Sequence, residues 1–136
     1  MERWPLFTKV AHVGVIVSDL DRTIEQLSAL GMGPFQPLVV GPPNDKRIRI
    51  SQTKIGDTGL ELLQPLEEDT LWKKFLQTKG EGIHHLGFMV EDLDGALTEM
   101  TRQGAEVLMT SKRPTGGGIA YLAPRGSGII IEIIQR

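Results

Sequence analysis

The chain has 136 residues, 40% of them hydrophobic and 24% charged, with a formal net charge of −2. That is the size and balance of one soluble globular domain and excludes a disordered or fibrous chain. With no basic run longer than Lys112-Arg113, no cysteine, and no apolar run near the roughly 20 residues that cross a bilayer, nucleic acid, disulfides, thiolate metal ligands and a membrane are not expected.

The predicted elements begin with a β-rich run, His12 to Val17. Met1 to Phe7 does not read as a secretory leader, so a cytoplasmic location is the expectation. Asp19 or Asp21 then suits a helix start, Leu20, Ile24 and Leu27 recur at helical spacing, and Gly31 supplies a stop. Gly33-Pro34 and Gly41-Pro42-Pro43 break the chain, leaving strands near Phe35 to Val40, Arg47 to Lys54 and Gly59 to Gln64. Glu67 to Lys79 reads as a connecting helix with an apolar stripe of Leu71, Trp72, Phe75 and Leu76. The order then repeats. A strand over His85 to Val90 is followed by a helix start at Asp92 or Asp94, a face of Leu93, Leu97 and Met100, and a stop at Gly104. Strands near Glu106 to Met109, Ile119 to Leu122 and Ile129 to Ile134 are separated by turns at Gly116-Gly117-Gly118 and Arg125-Gly126-Ser127-Gly128.

The repeat is visible residue by residue. His12-Val-Gly-Val-Ile-Val-Ser-Asp-Leu-Asp lies on His85-Leu-Gly-Phe-Met-Val-Glu-Asp-Leu-Asp without a gap, at a shift of 73 residues, about half the chain. A second pair of signatures, Gly59-Leu-Glu-Leu-Leu-Gln and Ile130-Ile-Glu-Ile-Ile-Gln, aligns Glu61 with Glu132, and the His-to-Glu separation is 49 residues in one half and 47 in the other. Self-similarity of this kind decides the fold class. The chain reads as an α+β protein, one domain over residues 1–136 built of two tandem βαβββ modules, about 8–66 and 82–136, joined by a linker helix at about 67–80.

Glu61 and Glu132 each stand inside an otherwise apolar strand, where an ionised carboxylate is costly unless it is paired or bound to a cation. His12 and His85 each share a strand face with a glycine two residues on, Gly14 and Gly87, which leaves room for a ligand. Two imidazoles and two carboxylates form a mixed nitrogen and oxygen set suited to Co, Mn, Ni, Zn or Fe as a divalent ion with positions left open for substrate. His84 has Ala11 as its counterpart, breaks the repeat, and is expected to pack. If Ile48 and Ile50 lie under the helices, Arg47 and Arg49 face the site, and Arg49 is a candidate for an anionic group of the substrate. The triple glycine suits either a phosphate-contacting loop or a hairpin turn.

Taken with Ile55-Gly-Asp-Thr-Gly-Leu-Glu-Leu-Leu-Gln-Pro-Leu, Gly82-Ile-His-His-Leu-Gly and Gly128-Ile-Ile-Ile-Glu-Ile, these segments resemble the vicinal oxygen chelate superfamily, and within it the methylmalonyl-CoA epimerase branch, over nearly the whole chain. The resemblance implies a cupped mixed sheet around a metal held by His12, Glu61, His85 and Glu132. It also implies enolisation of a small substrate, such as a CoA thioester, with Glu132 as base, and pairing of two chains as a homodimer. Two features depart from the epimerase pattern. The strand Arg47-Ile-Arg-Ile-Ser-Gln holds no second acid, and a loop that usually reads His-Pro is Ala123-Pro124.

The expected function is a metal-dependent isomerase or epimerase. A glyoxalase-type lyase acting on a thiol hemithioacetal is the alternative within the enzymes, and a metal-free antibiotic-binding protein of the same fold is the alternative outside them. Presence of all four donors argues against the binder, and chain length argues against a ring-cleaving dioxygenase of this superfamily.

Overall fold

The computed structural model describes residues 6–38 and 46–136, in which eight strands and three helices form an α+β fold. Val39 and Val40 of the expected second strand, and the break at Gly41-Pro42-Pro43, lie outside the described residues. The chain resolves into two compact units, one of His12–His84 and the other of His85–Arg136 with the described part of Met1–Ala11.

In the His12–His84 unit the elements are β1 (Phe7–Ile16, from His12 onward), α1 (Leu20–Ala29), β2 (Gln36–Pro37), β3 (Ile48–Ile55), β4 (Thr58–Pro65) and α2 (Leu71–Lys79). β1 runs parallel to β4 with His12 opposite Gly59 and Gly14 opposite Glu61, while β3 lies antiparallel to both β4 and β2. This is the βαβββ order that the repeat predicts. The parallel β1–β4 pair requires a crossover, and α1 begins it.

Asp19 starts α1 because its carboxylate accepts the free N–H of Arg22 at 3.1 Å. At the other end Gly31 takes a φ of 101°, and the N–H of Met32 bonds back to Leu27 O, the left-handed closure that glycine makes without a steric penalty. The face between these caps buries Leu20 against Val17 and Leu62, with Val15, Ile24, Leu27 and Phe35 packed around them. Each such side chain contributes about 1.5–3 kcal/mol when fully withdrawn from water.

Helix α2 is shorter than the expected span of Glu67 to Lys79. It begins at Leu71 because Thr70 is the cap, accepting the N–H of Lys73 while donating its hydroxyl to Glu67 O. Trp72 is buried, and the guanidinium of Arg47 lies 5.5 Å from its ring centroid.

The other unit contains β5 (Gly82–Val90, from His85 onward), α3 (Leu93–Arg102), β6 (Glu106–Lys112), β7 (Gly118–Ala123) and β8 (Ile131–Gln135). β5 is parallel to β8, with Gly87 opposite Glu132, and β7 is antiparallel to β8 and β6. The helix signals recur in kind. Asp92 caps α3 by accepting Gly95 N at 3.1 Å, and Gly104, φ 102°, closes it with Ala105 N bonding to Met100 O. The core of Val90, Leu93, Ala96, Ala120, Leu122 and Ile133 is joined by Phe7, whose ring stacks on Phe88 at 4.9 Å.

Of the four aspartates at the helix starts, two are caps. Asp21 instead pairs with Arg49, and Asp94 with Lys112 at 2.8 Å. The triple glycine closes the β6–β7 hairpin, with Arg113 N bonding to Gly117 O and Gly116 N to Arg113 O. Among the described residues no helix is long and apolar enough to cross a membrane.

Candidate metal centre

Strand alternation fixes which side chains share a face in each unit. In the His12–His84 unit, Leu62 and Val15 belong to the core under α1, so the intervening residues of the same strands point the other way. Those residues are His12, Gly14 and Ile16 on β1, and Gly59, Glu61 and Leu63 on β4. His12 and Glu61 are both buried, and Nε2 of the imidazole lies 3.6 Å from Oε1 of the carboxylate.

The His85–Arg136 unit repeats the arrangement. Ile133 and Ala120 pack under α3, which turns Glu132 and Ile134 on β8, and Tyr121 on β7, to the opposite face with Gly87 and His85. His85 and Glu132 are buried, with Nε2 and Oε1 3.0 Å apart. Each unit therefore withdraws one imidazole and one carboxylate from water and places them against each other. A carboxyl group is stable there only if it is protonated, or if its ionised form has a cationic partner or a metal. The donor set is mixed nitrogen and oxygen with no thiolate, which fits a divalent transition ion. All four residues are buried, and this His/Glu set could hold a metal ion.

His84 is buried as expected, its ring edge-on to Phe75 at 5.0 Å in the same unit, and by alternation it does not share the face of His85. Arg49 requires a correction. In the β3–β4 register Arg49 pairs with Gln64 and Ser51 with Leu62, the helix side, whereas Ile48 and Ile50 pair with Pro65 and Leu63 on the Glu61 side. The isoleucines do not pack under α1 and the arginine does not share the carboxylate's face. Its guanidinium bonds the Asp21 carboxylate of α1, Nη2 to Oδ1 at 3.0 Å, and both groups are solvent-exposed. An acidic partner on the first turn of the helix is what holds it there.

Four positions escaped the sequence reading. Gln52 faces Glu61 across the β3–β4 pair, Tyr121 faces Glu132 across β7–β8, and the two glutamines three residues after the glutamates hold helix starts. The last were visible as the repeated final residue of Glu-Leu-Leu-Gln and Glu-Ile-Ile-Gln. The first two carry no signal, because Gln52 and Tyr121 differ in kind although they hold equivalent positions.

Comparison with known proteins agrees with this architecture. Residues 11–122 match the family described as the glyoxalase/bleomycin resistance protein/dioxygenase superfamily, and the chain belongs to that superfamily. An ethylmalonyl-CoA/methylmalonyl-CoA epimerase of Cereibacter sphaeroides is 29% identical over 93% of this chain and 97% of its own length. The crystal structure of methylmalonyl-CoA epimerase from Mycobacterium tuberculosis superposes with a TM-score of 0.76 at 29% identity, covering 99% of this chain and 92% of that one. A variant of the Streptomyces coelicolor methylmalonyl-CoA epimerase, in complex with 2-nitronate-propionyl-CoA, does so with a TM-score of 0.77 at 28% identity, covering 95% of this chain and 97% of that one.

Proposed function

We propose that this chain is a metal-dependent enzyme that removes the proton next to the carbonyl of a small acyl thioester, methylmalonyl-CoA or a close chemical relative, with His12, Glu61, His85 and Glu132 sharing one divalent ion. The observation that carries the reading is the duplicated buried pair: an imidazole against a carboxylate at equivalent positions of both halves, in a superfamily whose solved members include proteins in complex with CoA thioesters. A chain that needed only a core at these positions would gain more from apolar residues, since two buried ionisable pairs cost desolvation that only a ligand or a reaction repays.

A divalent ion in such a set supplies a Lewis acid for the oxyanion that develops when the C–H bond breaks. The chain's own residues do the rest. Glu132 is the base: its carboxylate takes the α proton and returns a proton to the same carbon. His85, 3.0 Å from it, holds the carboxylate in place. Ile16, Leu63 and Ile134, all buried on the faces of the glutamates, keep water from competing. Exchange of the α proton needs nothing more. Inversion of the carbon needs a second proton-bearing group on the opposite face, and the described β3 presents Ile48, Ile50, Gln52 and Lys54 beside Glu61, with no acid among them.

The deciding experiment incubates the purified protein and methylmalonyl-CoA in deuterated water. Deuterium enters the α carbon with wild type, and the rate falls at least about 10²-fold with Glu132→Gln, the scale of losing a general base. Absence of exchange with any added divalent ion would rule the proposal out.

A further inference from the structure

The two His/Glu pairs have unlike neighbours at equivalent positions. Across the β7–β8 ladder the residue opposite Glu132 is Tyr121, which is buried and whose ring centroid lies 4.9 Å from that of His85, tilted by 47°. Across the β3–β4 ladder the residue opposite Glu61 is Gln52. Its carboxamide occupies the space above Gly59: a Cβ built on that glycine would meet Gln52 Oε1 at 3.0 Å, Gln52 Cδ at 3.1 Å and His12 Cβ at 3.2 Å. In each unit, then, the cross-strand partner of the carboxylate leans toward that unit's histidine. One does so with a rigid aromatic ring, the other with a flexible amide lying in a gap left by a missing side chain.

We infer that Tyr121 and Gln52 are positioning residues, fixing the imidazoles of His85 and His12 against Glu132 and Glu61 for ligation. An imidazole on a bare strand turns about its two side-chain torsions, and a metal binds in proportion to the time it spends in the ligating orientation. A ring packed on the imidazole removes that freedom more fully than an amide does, because tyrosine has two side-chain torsions to settle and glutamine three. The tighter pair is the one beside the ring, 3.0 Å against 3.6 Å. The two halves of the site are therefore unequal: His85 is the preset ligand, and His12 the one that adjusts. This inference rests on the proposed metal site and concerns how the chain prepares it.

The test titrates chelator-treated full-length protein with Co²⁺, following the heat of binding and the visible absorption of the ion. The proteins are wild type, Tyr121→Leu, Tyr121→Phe and Gln52→Leu, each with its melting temperature recorded. Tyr121→Leu should weaken Co²⁺ binding about 10- to 100-fold and alter the absorption band, the scale of lost support for a ligand, and Tyr121→Phe should restore both to within about twofold. Gln52→Leu should fall between. If Tyr121→Leu does not fold, Tyr121→Met, a flexible filler of similar length, takes its place with the same expected loss. Wild-type affinity and spectrum in Tyr121→Leu, or equal losses in Phe and Leu, would overturn the role of the ring; wild-type binding by Gln52→Leu would overturn that of the amide. A wild type that binds no divalent ion overturns the metal site itself and this inference with it, a result distinct from any of the others.

Discussion

The side-chain oxygen of Gln64 accepts the backbone N–H of Leu20 at 2.9 Å, tying the end of strand β4 to the first residue of helix α1. The other unit repeats the bond, with Gln135 accepting Leu93 N at 2.8 Å. A helix leaves its first N–H groups without partners in its own backbone, and the aspartate cap satisfies only one of them. Each unit thus uses a strand glutamine, three residues beyond its glutamate, to satisfy another.

Replacing that glutamine leaves a part-buried donor orphaned. Gln64→Leu and Gln135→Leu should each lower the unfolding free energy by about 1–3 kcal/mol, read from urea denaturation, with no change in the slope of the transition. A loss under a few tenths of a kcal/mol in both would mean that the bonds contribute nothing.

Divalent metal should stabilise the folded chain. At a free concentration about 100 times its dissociation constant, a single bound ion adds about 2.7 kcal/mol, seen as a rise in melting temperature that a chelator reverses. Neither His85→Ala nor Glu132→Ala should show that rise, and elemental analysis of these variants should find metal well below the near one ion per chain expected of wild type.

Gly118 tolerates no side chain. Its φ is +128°, and a Cβ there would overlap the carbonyl oxygen of Ser111 and stand 2.8 Å from Lys112 Cα, both backbone atoms that cannot swing away. Gly118→Ala should cost more than Gly116→Ala, where only the positive φ opposes the substitution and nothing lies within 4 Å; about 1–2 kcal/mol is expected for the latter. Thermal melts of the two variants give the order directly.

The Arg49–Asp21 pair should matter little. Both groups are exposed, and exposed pairs are worth about 0–1 kcal/mol, so Arg49→Ala should shift unfolding by no more than that, and less at high salt. Because the guanidinium lies on the helix side of β3, the same variant should leave the Michaelis constant for a thioester substrate unchanged. A large rise would restore Arg49 to a substrate-binding role.

How legible all this was depended on periodicity. The duplicated signatures announced two βαβββ modules, both helices, a cap at Asp19 or Asp21 and at Asp92 or Asp94, their glycine stops, and a histidine and a glutamate at equivalent positions of each half, because each of those features depends on local spacing that the repeat states twice. Arg49 was misread because alternation says that residues 48 and 49 face opposite ways but not which way; only the pairing register with β4 decides, and that is a long-range property. The expected start of α2 at Glu67 was too early because the hydroxyl of Thr70 caps the helix, and its first residue is Leu71, where the apolar stripe begins. Tyr121 and Gln52 were silent for a related reason: a side chain's partner across a ladder cannot be known until the ladder exists.

Strand β1 supplies two cores from one unbroken run of backbone. Phe7, near its start, packs with Val90 and Ile133, whereas Val15 and Val17, at and just beyond its end, pack with Leu20 and Leu62. Cleaving the chain between the repeats, after Gly80, would therefore not release two self-sufficient pieces: the C-terminal fragment would lack a ring that its interior requires, and the N-terminal one would carry that ring with nowhere to put it. Duplication in the sequence has left, at this strand, a single run of backbone on which both cores draw.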